Sequence, residues 1–345
     1  MALSQRKELI LAAVVEFYIA TGEPVGSKFL VTALPFTVSS ATIRNEMAEL
    51  SELGYLEQPH TSAGRIPSDQ GLRYYVDRLL DTVNPSESEM FRILSTVDHT
   101  EGDAKRILSQ LCDLTAQLTG MAAVATTPFS DRAVINNVQV LPVGKKAALV
   151  LVSTTAGVLK SRIAKLSAAA DYPLLELFYN VAAANFIGAP CESVNKAMLQ
   201  QITVNLGERA LDIAPLLVSL FDAVAQSAEA DVIVRGRRNL LDSALRADAP
   251  AIIEFTSEPE RLLPLLKKNR DGGLHFSIGK ENGSRSLQNA SVVTAGYSAG
   301  NGTAGVIGVL GPTKMDYARV IPLLRYVGDV AGRLIADNAD DTTKE

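Results

Sequence analysis

Histidine and cysteine are scarce in this chain of 345 residues, and tryptophan is absent. The three histidines, His60, His99 and His275, stand far apart and form no zinc-type spacing. Cys112 and Cys191 are better interpreted as two buried, small apolar residues than as a disulfide or a metal pair. We therefore expect neither a metal nor a cofactor.

Sequence signatures of catalysis are also missing. The chain contains no GxSxG, HExxH or kinase pattern, and no histidine stands near a serine or cysteine in a nucleophile motif. The stretch GNGTAG at 300–305 fits G-x-G-x-x-G, but the β-branched VIGVLGP follows it, whereas a dinucleotide site needs a helix there. We predict a hairpin turn at this point and a protein that is not an enzyme.

Long apolar runs and positive net charge are lacking as well. No 18 consecutive residues are apolar, and Glu16 interrupts the apolar stretch near the N-terminus, so neither a membrane span nor a signal peptide is predicted. We expect a soluble, cytoplasmic protein. Because the formal net charge is −5, any contact with nucleic acid must come from a local patch.

The pattern that is present begins with three helices. Apolar spacing and stop signals predict helices over 4–20, 26–34 and 40–53. A short strand over 55–58, a loop over 58–68 and a further helix from Asp69 follow. This order is typical of a winged helix-turn-helix.

Beyond a linker at 83–88, the apolar periodicity changes several times. Helices are predicted over 89–120 and 171–229, strands over about 133–166, and further strands over 230–236, 251–255, 274–279, 290–298 and 304–310. Strands on both sides of a helical block suggest an α+β domain that carries a helical insertion. The expected domains are therefore 1–84, then 85–168 with 230–345, and an insert over 169–229.

The third helix has the composition of a recognition helix. On a helical wheel Ile43, Met47 and Leu50 share one face, and Ala41, Ala48 and Asn45 lie opposite, flanked by Thr42, Arg44 and Glu49. Small residues let a helix enter the major groove of double-stranded DNA, where Arg and Asn contact guanine and adenine. From the helix alone, an ordinary amphipathic surface helix is an equally good interpretation.

Local charge favours the DNA-binding interpretation. Residues 1–82 contain seven Lys and Arg against ten Asp and Glu, which argues against nucleic acid. Yet Glu23 is the only acid between Gly22 and Asn45, and the loop QPHTSAGRIPS at 58–68 has Arg65 and no acid. Phosphate repulsion is thus relieved where a duplex would lie. In that loop we interpret Gly64 as permitting the bend, with a proline stiffening each end.

Two segments also carry a resemblance. EPVGSKFL and SSATIRNEMAELSELGYLEQPHTSAGRIPSDQGLRYYVD resemble the N-terminal region of the HrcA family of bacterial repressors of chaperone genes, and GVIGVLGPTKMDYARVIPLLRYV resembles its C-terminal signature. The resemblance implies an N-terminal winged helix, a GAF-like α+β domain and a helical dimerisation insert. It also implies a homodimer on the inverted-repeat CIRCE operator upstream of chaperonin and DnaK operons, with activity supported by the GroEL chaperonin.

Site residues follow by matching positions. The resemblance implies a recognition-helix motif at Ser39, Ser40, Thr42, Arg44 and Asn45, and a wing at His60, Thr61, Ser62, Gly64 and Arg65. Ser27 and Lys28 are expected to hold phosphate. Two alternatives stay open: a repressor that responds to a small molecule bound in a GAF-type pocket near 290–310, and a winged helix that serves protein contacts. The apolar helices over 171–229 form either the core of their own subdomain or a dimer interface.

Overall fold

The computed structural model describes residues 3–60, 63–97, 104–129, 133–155, 158–167, 169–227, 230–242, 248–268, 273–300 and 303–341. Within these ranges helices are interspersed with strands, and the strands of all the described sheets pair antiparallel. The predicted α+β class is confirmed.

The N-terminal unit, residues 3–80, begins with three helices and a small two-stranded sheet. Its elements are α1 Gln5–Thr21, α2 Ser27–Ala33, α3 Ser40–Glu52, β1 Leu56–Glu57, β2 Ile66–Pro67 and α4 Asp69–Tyr74, which continues into a π-helical turn Tyr75–Leu79. The three predicted helices are confirmed. Gly22 ends α1 because it adopts the left-handed conformation, with φ of 74°, and its N–H donates to the carbonyl of Tyr18 at 2.8 Å.

The rest of the chain adds eight helices and eight strands within the described ranges. They are α5 Glu87–Thr96, α6 Ala104–Thr119, β3 Ala122–Thr126, β4 Ile135–Gly144, β5 Ala147–Thr154, β6 Leu159–Lys165, α7 Tyr172–Asn185, α8 Lys196–Leu206, α9 Ala210–Ser227, β7 Val232–Arg235, α10 Ala249–Ser257, α11 Pro259–Lys267, β8 Leu274–Ile278, β9 Ala290–Ser298, β10 Ala304–Pro312 and α12 Tyr317–Asp341.

A five-stranded sheet of order β7-β3-β10-β9-β8 forms the centre of the molecule. Helices α5, α6 and α12 pack on one face of it, and α10 and α11 pack on the other. Strands β9 and β10 pair in register from Ser298 opposite Ala304 to Ala290 opposite Pro312, so the strands on either side of 300–305 form the predicted hairpin, while Asn301 and Gly302 of its turn lie outside the described residues. We call the sheet with these five helices the central unit.

The chain leaves the central unit after β3 and returns to it at β7. Between these strands, β4, β5 and β6 form a separate three-stranded sheet, which shares one hydrophobic core with α7, α8 and α9. We call this the inserted unit, residues 133–227. The expected boundary between 168 and 169 falls inside its core, since Val150 and Val152 of β5 cluster with Leu216 and Leu220 of α9.

The N-terminal unit packs directly on the central unit. Ile10, Ile43 and Leu72 belong to one core that continues into Val293 of β9 and Leu324 of α12. Tyr317, at the start of α12, is fully buried in the same core. The two units therefore share a single apolar interior.

One predicted strand is wrong. Residues 251–255, AIIEF, lie in helix α10 rather than in a strand. Pro250 occupies the first turn of that helix, a position proline favours because its fixed φ suits a helix start and its missing N–H has no partner there.

Two further expectations concern burial. Cys112 and Cys191 are both buried and free, as predicted. The stretch Lys196–Ser227, over α8 and α9, is long and apolar enough to span a bilayer on length and composition alone, but 50% of its most apolar window is buried inside the protein. The apolar residues of α8 and α9 contribute instead to the hydrophobic core of the inserted unit.

Candidate nucleic-acid interface

Helix α3 divides into the two faces that its sequence predicts. Ile43, Met47 and Leu50 are buried, and Arg44 and Asn45 are exposed on the other side. Lys28 is exposed on the neighbouring helix α2. The side chains of Lys28, Arg44 and Asn45 form no hydrogen bond or ion pair within the described part of the chain, so all three are free to meet a ligand.

Hydroxyl groups fix the start of α3. Ser39 caps the helix: its Oγ accepts from the backbone N–H of Thr42 at 3.1 Å and lies 2.9 Å from Thr42 Oγ1. Ser40 Oγ lies 2.9 Å from Ser27 Oγ, which joins the first turns of α2 and α3. Loss of such a cap costs about 0.5–2 kcal/mol. The same helix start, with its unsatisfied backbone N–H groups, attracts an anion such as phosphate.

The base of the 58–68 loop is tied to the start of α2. The N–H of Arg65 donates to the carbonyl of Val25 at 2.9 Å, and the N–H of Val25 donates to the carbonyl of Arg65 at 2.8 Å. Since Val25 immediately precedes the first turn of α2, this bridge places the loop beside Ser27 and Lys28. The structure thus brings Arg65 and the first turns of α2 and α3 to one region.

Gly64 is required for a steric reason. A Cβ at this position would clash with the carbonyl oxygen of Val25 and lie 2.5 Å from its carbonyl carbon and 2.9 Å from its nitrogen. The backbone of Gly64 is not left-handed. The glycine therefore permits close approach of two backbone segments.

Two hydrogen bonds join the described residues on either side of the loop tip. The carbonyl of His60 accepts from the N–H of Ala63 at 2.9 Å, and Gln58 Nε2 donates to the carbonyl of Ala63 at 3.1 Å. The side chain of His60 is exposed, while Thr61 and Ser62 lie outside the described residues.

Arg65 is only half-exposed, and its Nε is buried without a hydrogen-bond partner among the described residues. A buried, unsatisfied donor costs about 1–3 kcal/mol. The Nε–H group of Arg65 is therefore available to donate a hydrogen bond to an acceptor that approaches the guanidinium.

Two of the three acids of α3, Glu46 and Glu49, are neutralised by α1. Lys7 Nζ lies 2.9 Å from carboxylate oxygens of both Glu46 and Glu49, and Arg6 lies 3.6 Å from Glu46. Hydrogen bonds to Glu49 and then Glu46 raise the pKa of Lys7. In the sequence analysis these acids entered only the net charge of residues 1–82, since no local pattern links them to a helix some forty residues earlier. Their neutralisation strengthens the case for a phosphate-tolerant surface.

Other kinds of site receive less support. Among the described residues no three His, Cys, Asp or Glu side chains gather as metal ligands. Strands β9 and β10, where a GAF-type pocket was considered, are almost wholly buried and packed on both faces. An apolar groove of about 510 Å³ lies instead between α8 and α9, and its wall includes Leu199, Val204 and Val218.

Comparison with known proteins identifies the family of the chain. The family model described as HrcA protein C terminal domain matches residues 105–321. Two relatives described as heat-inducible transcription repressor HrcA come from Moorella thermoacetica, 35% identical over 97% of this chain and 98% of that one, and from Acetivibrio thermocellus, 33% identical over 95% of each. A crystal structure described as a hypothetical protein at 2.2 Å resolution has a similar fold, with a TM-score of 0.59 and 24% identity over 98% of this chain and 100% of that one.

An exposed, polar helix face on an α+β chain whose relatives repress transcription defines the class: this is a transcription repressor, and not a member of an enzyme family. Its family follows from the same matches, which extend over nearly the whole chain. The chain belongs to the HrcA family of heat-inducible transcription repressors, as the two sequence motifs indicated.

Proposed function

We propose that the chain represses transcription as a homodimer bound to an inverted-repeat operator of the CIRCE type, upstream of chaperone operons. The observation that carries this proposal is the free, exposed pair Arg44 and Asn45 on α3, whose nearby acids Glu46 and Glu49 are paired with α1. Arginine and asparagine are the side chains that read guanine and adenine in the major groove. Occupancy of the operator excludes polymerase, so repression needs no chemistry.

In this proposal α2, α3 and the 58–68 loop act as a winged helix-turn-helix. Arg44 and Asn45 contact bases, and the hydroxyls of α2 and α3, together with Lys28, contact phosphates and set the register of the protein on the duplex. Arg65 reaches phosphate or the minor groove from the wing. The full proposed set is Ser27, Lys28, Ser39, Ser40, Thr42, Arg44, Asn45, His60, Thr61, Ser62, Gly64 and Arg65.

We further propose that the inserted unit carries the dimer interface. A palindromic operator requires a two-fold axis in the protein. Val204 and Leu211 are each 79% exposed and Val218 is 53% exposed, an unusual exposure for apolar side chains on one pair of helices. The proposed domains are a DNA-binding domain over 1–84, a GAF-like domain over 85–168 and 230–345, and a dimerisation insert over 169–229.

Chaperonin dependence belongs to the same proposal. The GroEL chaperonin supports the active fold of this soluble, cytoplasmic repressor, and repression falls when misfolded proteins occupy the chaperonin. The mean hydropathy of +0.14 is high for a soluble chain and is compatible with a chaperonin client.

The test is a gel shift with the purified full chain and an inverted-repeat duplex, at one fixed salt concentration, with and without chaperonin. The expected result is a complex of two chains per duplex, formed more fully when chaperonin is present. A duplex with both half-sites scrambled is the control. Equal affinity for the scrambled duplex would refute operator recognition.

A further inference from the structure

A polar contact fastens the N-terminal unit to the central unit, 208 residues away in sequence. Arg73 of α4 forms a two-pronged ion pair with Glu281: Nε donates to Oε1 at 3.0 Å and Nη2 binds Oε2. Nη2 also donates to the carbonyl of Phe276 at 2.6 Å, and the guanidinium lies 4.4 Å from the centre of the Phe276 ring. One turn earlier, Asp69 Oδ2 accepts from the N–H of Lys280 at 3.1 Å.

The segment that receives these contacts is itself rigid. Glu281 Oε2 accepts from the N–H of Ile278 at 2.8 Å, which fixes the carboxylate at its own turn. Gly279 adopts the left-handed conformation, with φ of 57°, and a Cβ there would overlap the carboxylate of Asp69. The turn and α4 are therefore fitted to each other, and we call the contact between Asp69, Arg73 and residues 276–281 the joint.

The helix that carries the joint is irregular directly after it. Residues Tyr75–Leu79 continue α4 as a π-helical turn, a rare conformation that is found preferentially at functional sites. The chain then runs without helix or strand to α5, and the N–H of Val83 donates to the carbonyl of Ala318 on α12 at 3.0 Å. The segment that leaves the N-terminal unit therefore changes its backbone geometry between two points of attachment to the central unit, the joint at Arg73 and the hydrogen bond of Val83.

The shared apolar core and the Arg73–Glu281 ion pair have different roles between the two units, as their burial and geometry show. The hydrophobic effect is non-directional, so the apolar core shared by the two units holds them together without fixing the angle between them. A bidentate Arg–carboxylate pair has a defined geometry. Its side chains are 27% and 37% exposed, and a pair so accessible to water contributes little net stability. The joint is thus suited to set an orientation rather than to hold the fold.

We propose that the joint sets the direction in which α3 faces DNA, and thereby the half-site spacing that the dimer recognises. The proposal rests on the proposed function, because it concerns how two DNA-binding units are aligned on one operator. Arg73 and Glu281 are positioning residues. Within the described residues neither side chain bonds to α3 or to the 58–68 loop, and both act on DNA through the placement of the N-terminal unit.

The test compares Glu281→Gln with Glu258→Gln in the full chain. Glu258 pairs with Arg261 inside the central unit and is 46% exposed, so the control removes the charge of a similarly exposed, paired glutamate without affecting a contact between units. Affinity is measured by fluorescence anisotropy for a single half-site and for inverted repeats whose spacer is lengthened or shortened by single base pairs.

For Glu281→Gln we expect wild-type affinity for the single half-site and a flattened dependence on spacer length. Affinity at the natural spacing should fall at least about tenfold, since engaging the second site contributes a factor on the order of 10² to 10⁴. Glu258→Gln should match the wild type. Arg73→Lys, which keeps the charge but loses the two-pronged geometry, should behave like Glu281→Gln. Equal losses on half-site and full repeat, or an unchanged spacing profile, would overturn the proposal.

A second measurement reads the orientation without DNA. Spin labels are placed at Glu52→Cys on α3 and Glu254→Cys on α10, both exposed, while the two native cysteines are buried. Labelled chains are diluted in unlabelled ones, and the distance distribution is measured by pulsed dipolar spectroscopy. Glu281→Gln should broaden this distance distribution, and an unchanged distribution would refute the orienting role of the joint. Failure of the wild type to bind the inverted repeat would refute the proposed function instead, and this measurement would still decide on the joint.

Discussion

Replacing Gly64 with alanine tests how the 58–68 loop is held beside α2. The new methyl group would clash with the carbonyl oxygen of Val25, and it would lie 2.5 Å from the carbonyl carbon. Because both partners are backbone, no side-chain rotation relieves the clash, and the bridge between Val25 and Arg65 has to open. That bridge consists of two hydrogen bonds, each contributing about 0.5–1.5 kcal/mol, so we expect a loss of about 1–3 kcal/mol. Overpacking elsewhere costs a similar amount, about 1–3 kcal/mol.

The assay combines local and functional readouts on the full chain. Hydrogen exchange at the amides of Val25 and Arg65 should speed up, and operator affinity should fall because the loop moves away from Ser27 and Lys28. Gly144→Ala is the control, since a Cβ there meets only Ala147 Cβ, at an ordinary 3.7 Å. If Gly64→Ala leaves amide exchange and operator affinity as in the wild type, the loop is not positioned by this bridge.

Three further changes test other parts of the reasoning. Arg44→Ala should cost about 1–3 kcal/mol on operator and relax base preference, and equal losses on random DNA would contradict base contact. Arg65→Ala should lower by about one unit the slope of log affinity against log salt, and an unchanged slope would count against a phosphate contact. Hydrogen bonds from Arg319 and from the backbone and hydroxyl of Ser86 lower the pKa of Glu89 to about 2. Since this is below the unfolded value of about 4.3, the contribution of Glu89 to folding is complete above roughly pH 5 and disappears towards pH 2. Thermal melts of Glu89→Gln should therefore differ from wild type most at neutral pH, and a difference independent of pH would be inconsistent with this ion pair.

Local patterns predicted the elements of the N-terminal unit well. Spacing of apolar residues identified the buried face of α3, because this signal lies within one or two helical turns. Residues 251–255 were misassigned because a short run of four apolar residues, interrupted only by Glu254, fits a strand and a short helix equally well. The proline just before them was the available signal for a helix start.

Long-range contacts were beyond the reach of the sequence. The pairing of Lys7 with Glu46 and Glu49 depends on how α1 crosses α3, and no periodicity encodes that crossing. The contact of Arg73 with Glu281 depends on the position of β8 beside α4. The clash that demands glycine at position 64 became visible only once Val25 was placed next to it.

The apolar interior shared by the two ends of the chain has a consequence for synthesis. The N-terminal unit leaves the ribosome first, yet part of the core beneath it comes from later residues such as Leu274, Val293 and Leu324, which are made more than 190 residues later. At about 5–20 residues per second the nascent segment waits on the order of ten seconds or more for these partners, with apolar surface exposed. Premature termination before α12 would accordingly yield a chain that has every proposed DNA contact but lacks the packing that supports them.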